Sequence, residues 1–168
     1  MLKEIFIIGI GGQGALTLGE LLCHAGNRKN YTVSLYPFYG SQMRGGEAGC
    51  VVKLDTEGGE IANPTISEPD DFLILSGKFF EKYRRFAHAE SAFYTAPEVN
   101  DRNLNLILLK QYLHQTGLFT DEDIAGAIRD KFPRREVSDK KIAAYLDIEI
   151  SRDASPDSIR KQKEGKEA

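Results

Sequence analysis

Ile5-Phe6-Ile7-Ile8-Gly9-Ile10-Gly11-Gly12-Gln13-Gly14 begins as a continuous apolar run and ends in glycine. An uninterrupted β-branched and aromatic run of this length reads as a strand buried on both faces. A helical period takes over at once, predicting a helix over about 13–27 with Leu18, Leu22 and Ala25 on one face. Gly9, Gly11 and Gly14 match the G-x-G-x-x-G spacing of a phosphate-binding strand–turn–helix. In that reading Gly9 allows a tight turn, Gly11 lets an anion approach the backbone, and Gly14 lets the helix pack close to the strand. Unpaired N–H groups at the helix start would point at the anion, helped by the helix dipole.

A nicotinamide site needs more than this turn. It needs an acid some 20 residues on, at the end of the second strand, to hold the ribose hydroxyls. Here the second strand, Tyr31 to Tyr36, ends at Pro37, and no Asp or Glu lies between Glu20 and Glu47. Arg28 and Lys29 precede that strand, and no arginine stands at its end. A P-loop is excluded, because no Gly-Lys-Ser/Thr follows the glycines. Two readings stay open: the glycines only tighten a turn, or they contribute to an anion or cofactor site shared with another chain. Gln13 favours the second, since a long amide at a helix start can donate to a carbonyl or a phosphate.

Downstream, Gly49 to Asp55 alternates, with Cys50, Val52 and Leu54 on one face and Val51, Lys53 and Asp55 on the other. Glu57-Gly58-Gly59 permits a hairpin into Glu60–Ala62, stopped by Pro64. Phe72–Leu75 reads as a buried parallel strand. Residues 78–88 read as helical, with Phe79, Phe80, Tyr83 and Phe86 as the apolar set, and Ala92–Thr95 as a short strand. Further helices are expected over Asn103–Thr116, stopped by Gly117, and from a Thr120/Asp123 capping box to Phe132. Ser138 is expected to cap a last helix to Leu146. The pattern predicts an α/β, three-layer, Rossmann-like domain over 1–150, with a mixed sheet and helices on both faces. Residues 151–168 lose their apolar content and read as a charged, solvated tail.

The 168 residues suit one such domain, and a net charge of −3 gives no broad basic field for nucleic acid or an anionic membrane. No run is apolar enough to span a bilayer, and the N-terminal run lacks a signal peptide's basic start, so a cytoplasmic protein is expected. Cys23 and Cys50 form no C-x-x-C, which speaks against a zinc or iron–sulfur site within this chain and for two buried thiols. His24, His88 and His114 are isolated and expected on helix faces. No nucleophile–base pair emerges.

Tyr39-Gly40-Ser41-Gln42-Met43-Arg44-Gly45-Gly46 is the second informative segment. It follows the second strand, on the sheet edge where open α/β domains bind ligands. The Arg44 guanidinium could grip a phosphate or a carboxylate, or simply pair with a neighbour such as Glu47. Gly9-x-Gly11-Gly12-Gln13-Gly14, Tyr39-Gly40-x-x-x-Arg44-Gly45-Gly46, Ile61-x-x-Pro64 and Asp71 before an apolar strand together resemble the gamma subunit of 2-oxoacid:ferredoxin oxidoreductases. Met43–Cys50 is most similar to the 2-oxoglutarate type. The resemblance covers residues 3–76 and resumes over 105–132, with a shorter stretch between. The family's Asn-x-x-Ala pattern is lacking at Lys140–Ala144.

The resemblance implies a subunit that carries no cofactor alone. Thiamine diphosphate and iron–sulfur clusters would sit in alpha, beta or delta partners, with ferredoxin as indirect partner and coenzyme A at a shared interface. It also implies that Gly11, Gly12, Gln13 and Gly14, with Tyr39, Gly40, Arg44, Gly45 and Gly46, line a cleft facing the catalytic subunit. Two rival classes are a catalytically silent assembly module with the same fold and a stand-alone dinucleotide-dependent oxidoreductase.

Overall fold

The computed structural model describes residues 1–41 and 45–150; the expected tail and Arg44 lie outside them. The strands are β1 (Leu2–Ile10), β2 (Thr32–Tyr39), β3 (Glu47–Asp55), β4 (Asp71–Ile74) and β5 (Ala92–Thr95). The helices are α1 (Ala15–Arg28), α2 (Phe80–Tyr83), α3 (Leu104–Thr116), α4 (Asp121–Lys131) and α5 (Arg135–Leu146), with 3₁₀ turns flanking α2. The strands form one five-stranded sheet in the order β2-β3-β1-β4-β5. β4 runs parallel to both β1 and β5, whereas β3 is antiparallel to β1 and to β2.

The sheet is mixed as expected, for a different reason. No strand forms over 60–62; β3 pairs back with β2 across the 40–46 loop. β2 also continues through Pro37 to Tyr39. The Gly40 N–H donates to the Glu47 carbonyl at 2.8 Å, which makes that a hydrogen-bonded pair. Antiparallel pairs alternate, so Phe38, Tyr36 and Ser34 also face β3, and Pro37 turns its missing N–H to the open edge. A proline there costs no ladder bond.

Three layers form, unequally. Ile5, Ile7, Val52, Leu54 and Leu73 meet α1, α3, α4 and α5 in the main core. On the other face Phe6, Ile8, Val51, Phe72 and Ile74 are covered by the 77–86 segment, through Phe79, Phe80, Tyr83 and Phe86. The single predicted helix there is broken into α2 and its two 3₁₀ turns, and His88 lies beyond it in coil. The Thr120 capping box forms on both sides, with the Asp123 N–H donating to Oγ1 at 3.2 Å and the Thr120 N–H to Asp123 at 2.9 Å. Ser138 is no cap. α5 starts earlier, at Arg135, and buried Ser138 donates to the Arg135 carbonyl from inside its first turn.

Candidate functional site

β1 and β2 end on the same edge of the sheet, and their loops enclose one open cleft of about 720 Å³. Gly11, Gly12 and Gly14 line one wall; Tyr39, Gly40, Gly45 and Gly46 line the other. The Gly11 N–H donates to the Gly46 carbonyl at 2.9 Å and ties the two walls together. That donor is therefore engaged within the protein, while the space beside Gly11 stays open, with only the Gly46 carbonyl within 4 Å of an added side chain. The open donors belong to α1. Its N-cap is Gly14, no side chain caps it and its first turn holds no acid. The N–H groups of a first turn have no partner within the helix. Ala15, Leu16 and Thr17, which supply them, all border the cleft.

The glycines serve different ends from those the spacing suggests. Gly12 and Gly14 have φ of +93° and +84°, in the region glycine favours. A side chain on Gly14 would meet Asn105 of α3, with Nδ2 at 2.5 Å, so this glycine makes room for a helix on the far side and not for the strand. Asn105 Nδ2 donates to the Gly14 carbonyl at 3.3 Å and steadies the turn, a contact no sequence spacing signals. Gln13 folds back: its side-chain oxygen accepts the Ile10 N–H at 2.7 Å, inside its own turn. It closes the end of β1 and does not border the cleft.

Glu47 is the acid on the cleft wall. Its two carboxylate oxygens bond to Lys82 and to the Tyr83 hydroxyl. Burial pushes its pKa up, but those two bonds and the charges of Lys82 and Lys78 outweigh it and hold Glu47 below the usual carboxylate range. Tyr83 is pushed up in turn, by burial and then by its bond to Glu47. Sequence reading missed this group of cations. The signal was Ser76-Gly77-Lys78, directly after a strand parallel to β1 and ending on the same edge.

Cys23 and Cys50 are buried, as expected. Burial pushes the Cys23 thiol up to about 12 and Cys50 further. Both thiols will resist iodoacetamide at pH 8, because the thiolate is the reacting form, and both will label in urea. Mass spectrometry reads the result; labelling of either thiol in the native chain would contradict the burial. Among the described residues no three His, Cys, Asp or Glu side chains stand together to hold a metal ion. Nor is any helix among them long and apolar enough to cross a membrane.

The family model for pyruvate ferredoxin/flavodoxin oxidoreductase matches residues 4–103, which include both loops. The chain belongs to that family. The resemblance read from the two loops is thereby borne out. Within this oxidoreductase family the chain is 32% identical over 80 residues to the ketoisovalerate oxidoreductase subunit VorA of Methanothermobacter thermautotrophicus, covering 48% of this chain and 16% of that protein. It is 33% identical over 72 residues to the pyruvate/ketoisovalerate oxidoreductases common subunit gamma of Thermococcus kodakarensis, covering 43% of this chain and 38% of that one. The matched part is thus a minor share of these relatives.

Solved structures agree on the fold. The 2-oxoglutarate:ferredoxin oxidoreductase from Magnetococcus marinus, with 2-oxoglutarate, coenzyme A and succinyl-CoA bound, superposes with a TM-score of 0.72 at 17% identity, over 86% of this chain and 30% of that one. The oxoacid ferredoxin oxidoreductase gamma subunit from Geobacter sulfurreducens superposes with a TM-score of 0.64 at 19% identity, over 85% of this chain and 93% of that one. The short middle segment therefore leaves nearly all of that subunit's fold in place.

Proposed function

We propose that this chain is the gamma component of a multi-subunit 2-oxoacid:ferredoxin oxidoreductase, cytoplasmic and carrying no cofactor alone. Its cleft takes an anionic group, a coenzyme A phosphate or a 2-oxoacid carboxylate, at the interface with the catalytic subunit. One observation carries the reading: both glycine loops of a chain in this family meet, through Gly11 and Gly46, around one open cleft. The uncapped, acid-free start of α1 suits an anion there. A ribose of a nicotinamide cofactor is less well served. β3 stands between β1 and β2, so β2 lies about two strand spacings, roughly 10 Å, from β1, and it ends without an acid.

Thiamine diphosphate and iron–sulfur clusters in alpha, beta or delta partners would supply the decarboxylation and the electron path to ferredoxin. The part of this chain is to bind and orient. Gly12 and Gly45, where an added side chain would meet nothing within 4 Å, with Gly11 and Gly46 bonded to each other, keep the walls low enough for a ligand to reach α1. Tyr39, 69% exposed at the rim, offers a ring to the partner or to an adenine. Arg44, carried on the same loop, meets the anion.

Purification of the tagged chain from its host is expected to bring down thiamine-diphosphate and iron–sulfur subunits, with viologen reduction that depends on a 2-oxoacid and coenzyme A. A solitary chain without such activity would overturn the reading. In the complex, Arg44→Ala is expected to raise the Michaelis constant for coenzyme A or the 2-oxoacid about tenfold, the loss of a charge-assisted hydrogen bond. Unchanged constants for both would remove Arg44 from the cleft.

A further inference from the structure

β2 is an open edge of the sheet, and it is not built like an edge that stays bare. Its eight residues, Thr32–Tyr39, carry no charged side chain. Edge strands left to solvent are blunted by charge, by shortness, by proline or by a covering element. β5, the opposite edge, is only four residues long. β2 has Pro37 alone. Alternation turns the N–H and C=O groups of Ser34, Tyr36 and Phe38 to β3, so those of Val33, Leu35 and Tyr39 point outward. Among the described residues nothing bonds to them. The Tyr31 N–H, just before the strand, is tied to the Gly26 carbonyl at 3.0 Å, so the free edge begins with β2 itself. Tyr36 is 43% exposed and Tyr39 69%.

We propose that β2 pairs antiparallel with β2 of a second copy of this chain, across a two-fold axis at Tyr36. In that register Val33 of each copy lies opposite Tyr39 of the other, and the two exchange both hydrogen bonds. The Leu35 N–H donates to the Pro37 carbonyl of the second copy; proline lacks the donor and keeps the acceptor. The paired stretch, Val33 to Tyr39, stays within the strand. Tyr36 meets its own copy in a non-hydrogen-bonded pair, where side chains come closest. It pairs with Val51 in β3, so the two rings cover each other on the sheet face away from α1. A two-fold contact requires a surface that complements itself. An uncharged strand with free outward donors and acceptors does so, because pairing sets no like charges together. The contact runs along β2 and is independent of the cleft reading, which concerns the loop at its end.

Sedimentation equilibrium of the full chain over a wide concentration range tests this. The wild type is expected to form a dimer. Tyr36→Glu and Tyr36→Lys, each setting like charges opposite one another, are expected to weaken self-association about a hundredfold. An equal mixture of the two variants is expected to recover the dimer, since Glu then faces Lys. Hydrogen exchange should be about tenfold slower at the Val33 and Leu35 amides in the wild-type dimer than in either variant. Melting curves check that each variant is folded. A wild type that stays monomeric overturns the proposal. So does a dimer that survives both charges, or a mixture that remains monomeric. A monomer whose β2 amides slow only when catalytic subunits co-purify with it would assign the edge to a strand of that partner, and overturns the second copy as its occupant.

Discussion

Gly49→Ala is expected to lower the stability of the chain by about 3 kcal/mol, moving the urea midpoint down by roughly 1.5 M. Gly49 sits in β3 between β2 and β1, opposite Phe38 and Ile8. An added Cβ would lie 2.3 Å from the Ile7 carbonyl oxygen and 2.7 Å from the Phe38 ring. The carbonyl belongs to the central strand and cannot step aside without breaking the β1–β3 ladder. The ring is equally constrained. Phe38 stacks on Phe6 at 5.5 Å, and Phe6 meets Tyr83 at 4.7 Å. Tyr83 in turn holds Glu47 on the cleft wall. The clash would therefore pass from the sheet to the cleft wall at Glu47. A variant within about 0.5 kcal/mol of wild type would show that the sheet is looser than this geometry.

Gly49 also marks how far the sequence could be read. Alternation placed it on the face of Val51 and Lys53, correctly, and said nothing of the ring that lies across it. Local signals were reliable. The apolar run of β1, the helical period of α1, the Phe72–Leu75 strand and the Thr120 capping box depend on neighbours a few residues away, and all four formed. Pairing across distance was not legible. The Glu57-Gly58-Gly59 turn is a fair hairpin signal, yet β3 found its partner upstream, between β2 and β1, where α1 covers Cys50, Val52 and Leu54. Pro37 looked like a stop because a sequence does not say which side of a strand will be its open edge.

The site divides the same way. Both glycine loops were found, and their meeting at one edge follows from strands that run the same way. What the spacing could not give was the use of each group. Gln13 turns inward to Ile10, Gly11 spends its N–H on Gly46, and Gly14 yields to Asn105, which lies 91 residues away in the chain. The last two are set by tertiary packing, which motif spacing does not encode, and the first is a local choice of rotamer that spacing leaves open.

Glu4→Gln is expected to cost about 3 kcal/mol or more, a large effect for a conservative change near the chain's start. Glu4 and Lys53 are 5% and 3% exposed, on the thinly covered face of the sheet. Lys53 Nζ lies 3.4 Å from Glu4 Oε2 and 3.2 Å from the Ser67 hydroxyl. The same carboxylate accepts the Ser67 N–H at 2.7 Å, the Ser67 hydroxyl at 2.6 Å and the Glu68 N–H at 3.3 Å. The coil at Ser67 and Glu68 needs acceptors for its own backbone, and Glu4 supplies them. Glutamine keeps one acceptor oxygen, replaces the other with a donor, and leaves the Lys53 charge buried without its counter-ion. If the buried charge dominates the loss, Lys53→Met in the Glu4→Gln background should recover about 2 kcal/mol of it, read as coupling in a double-mutant cycle. If the coil's hydrogen bonds dominate, the two losses will add.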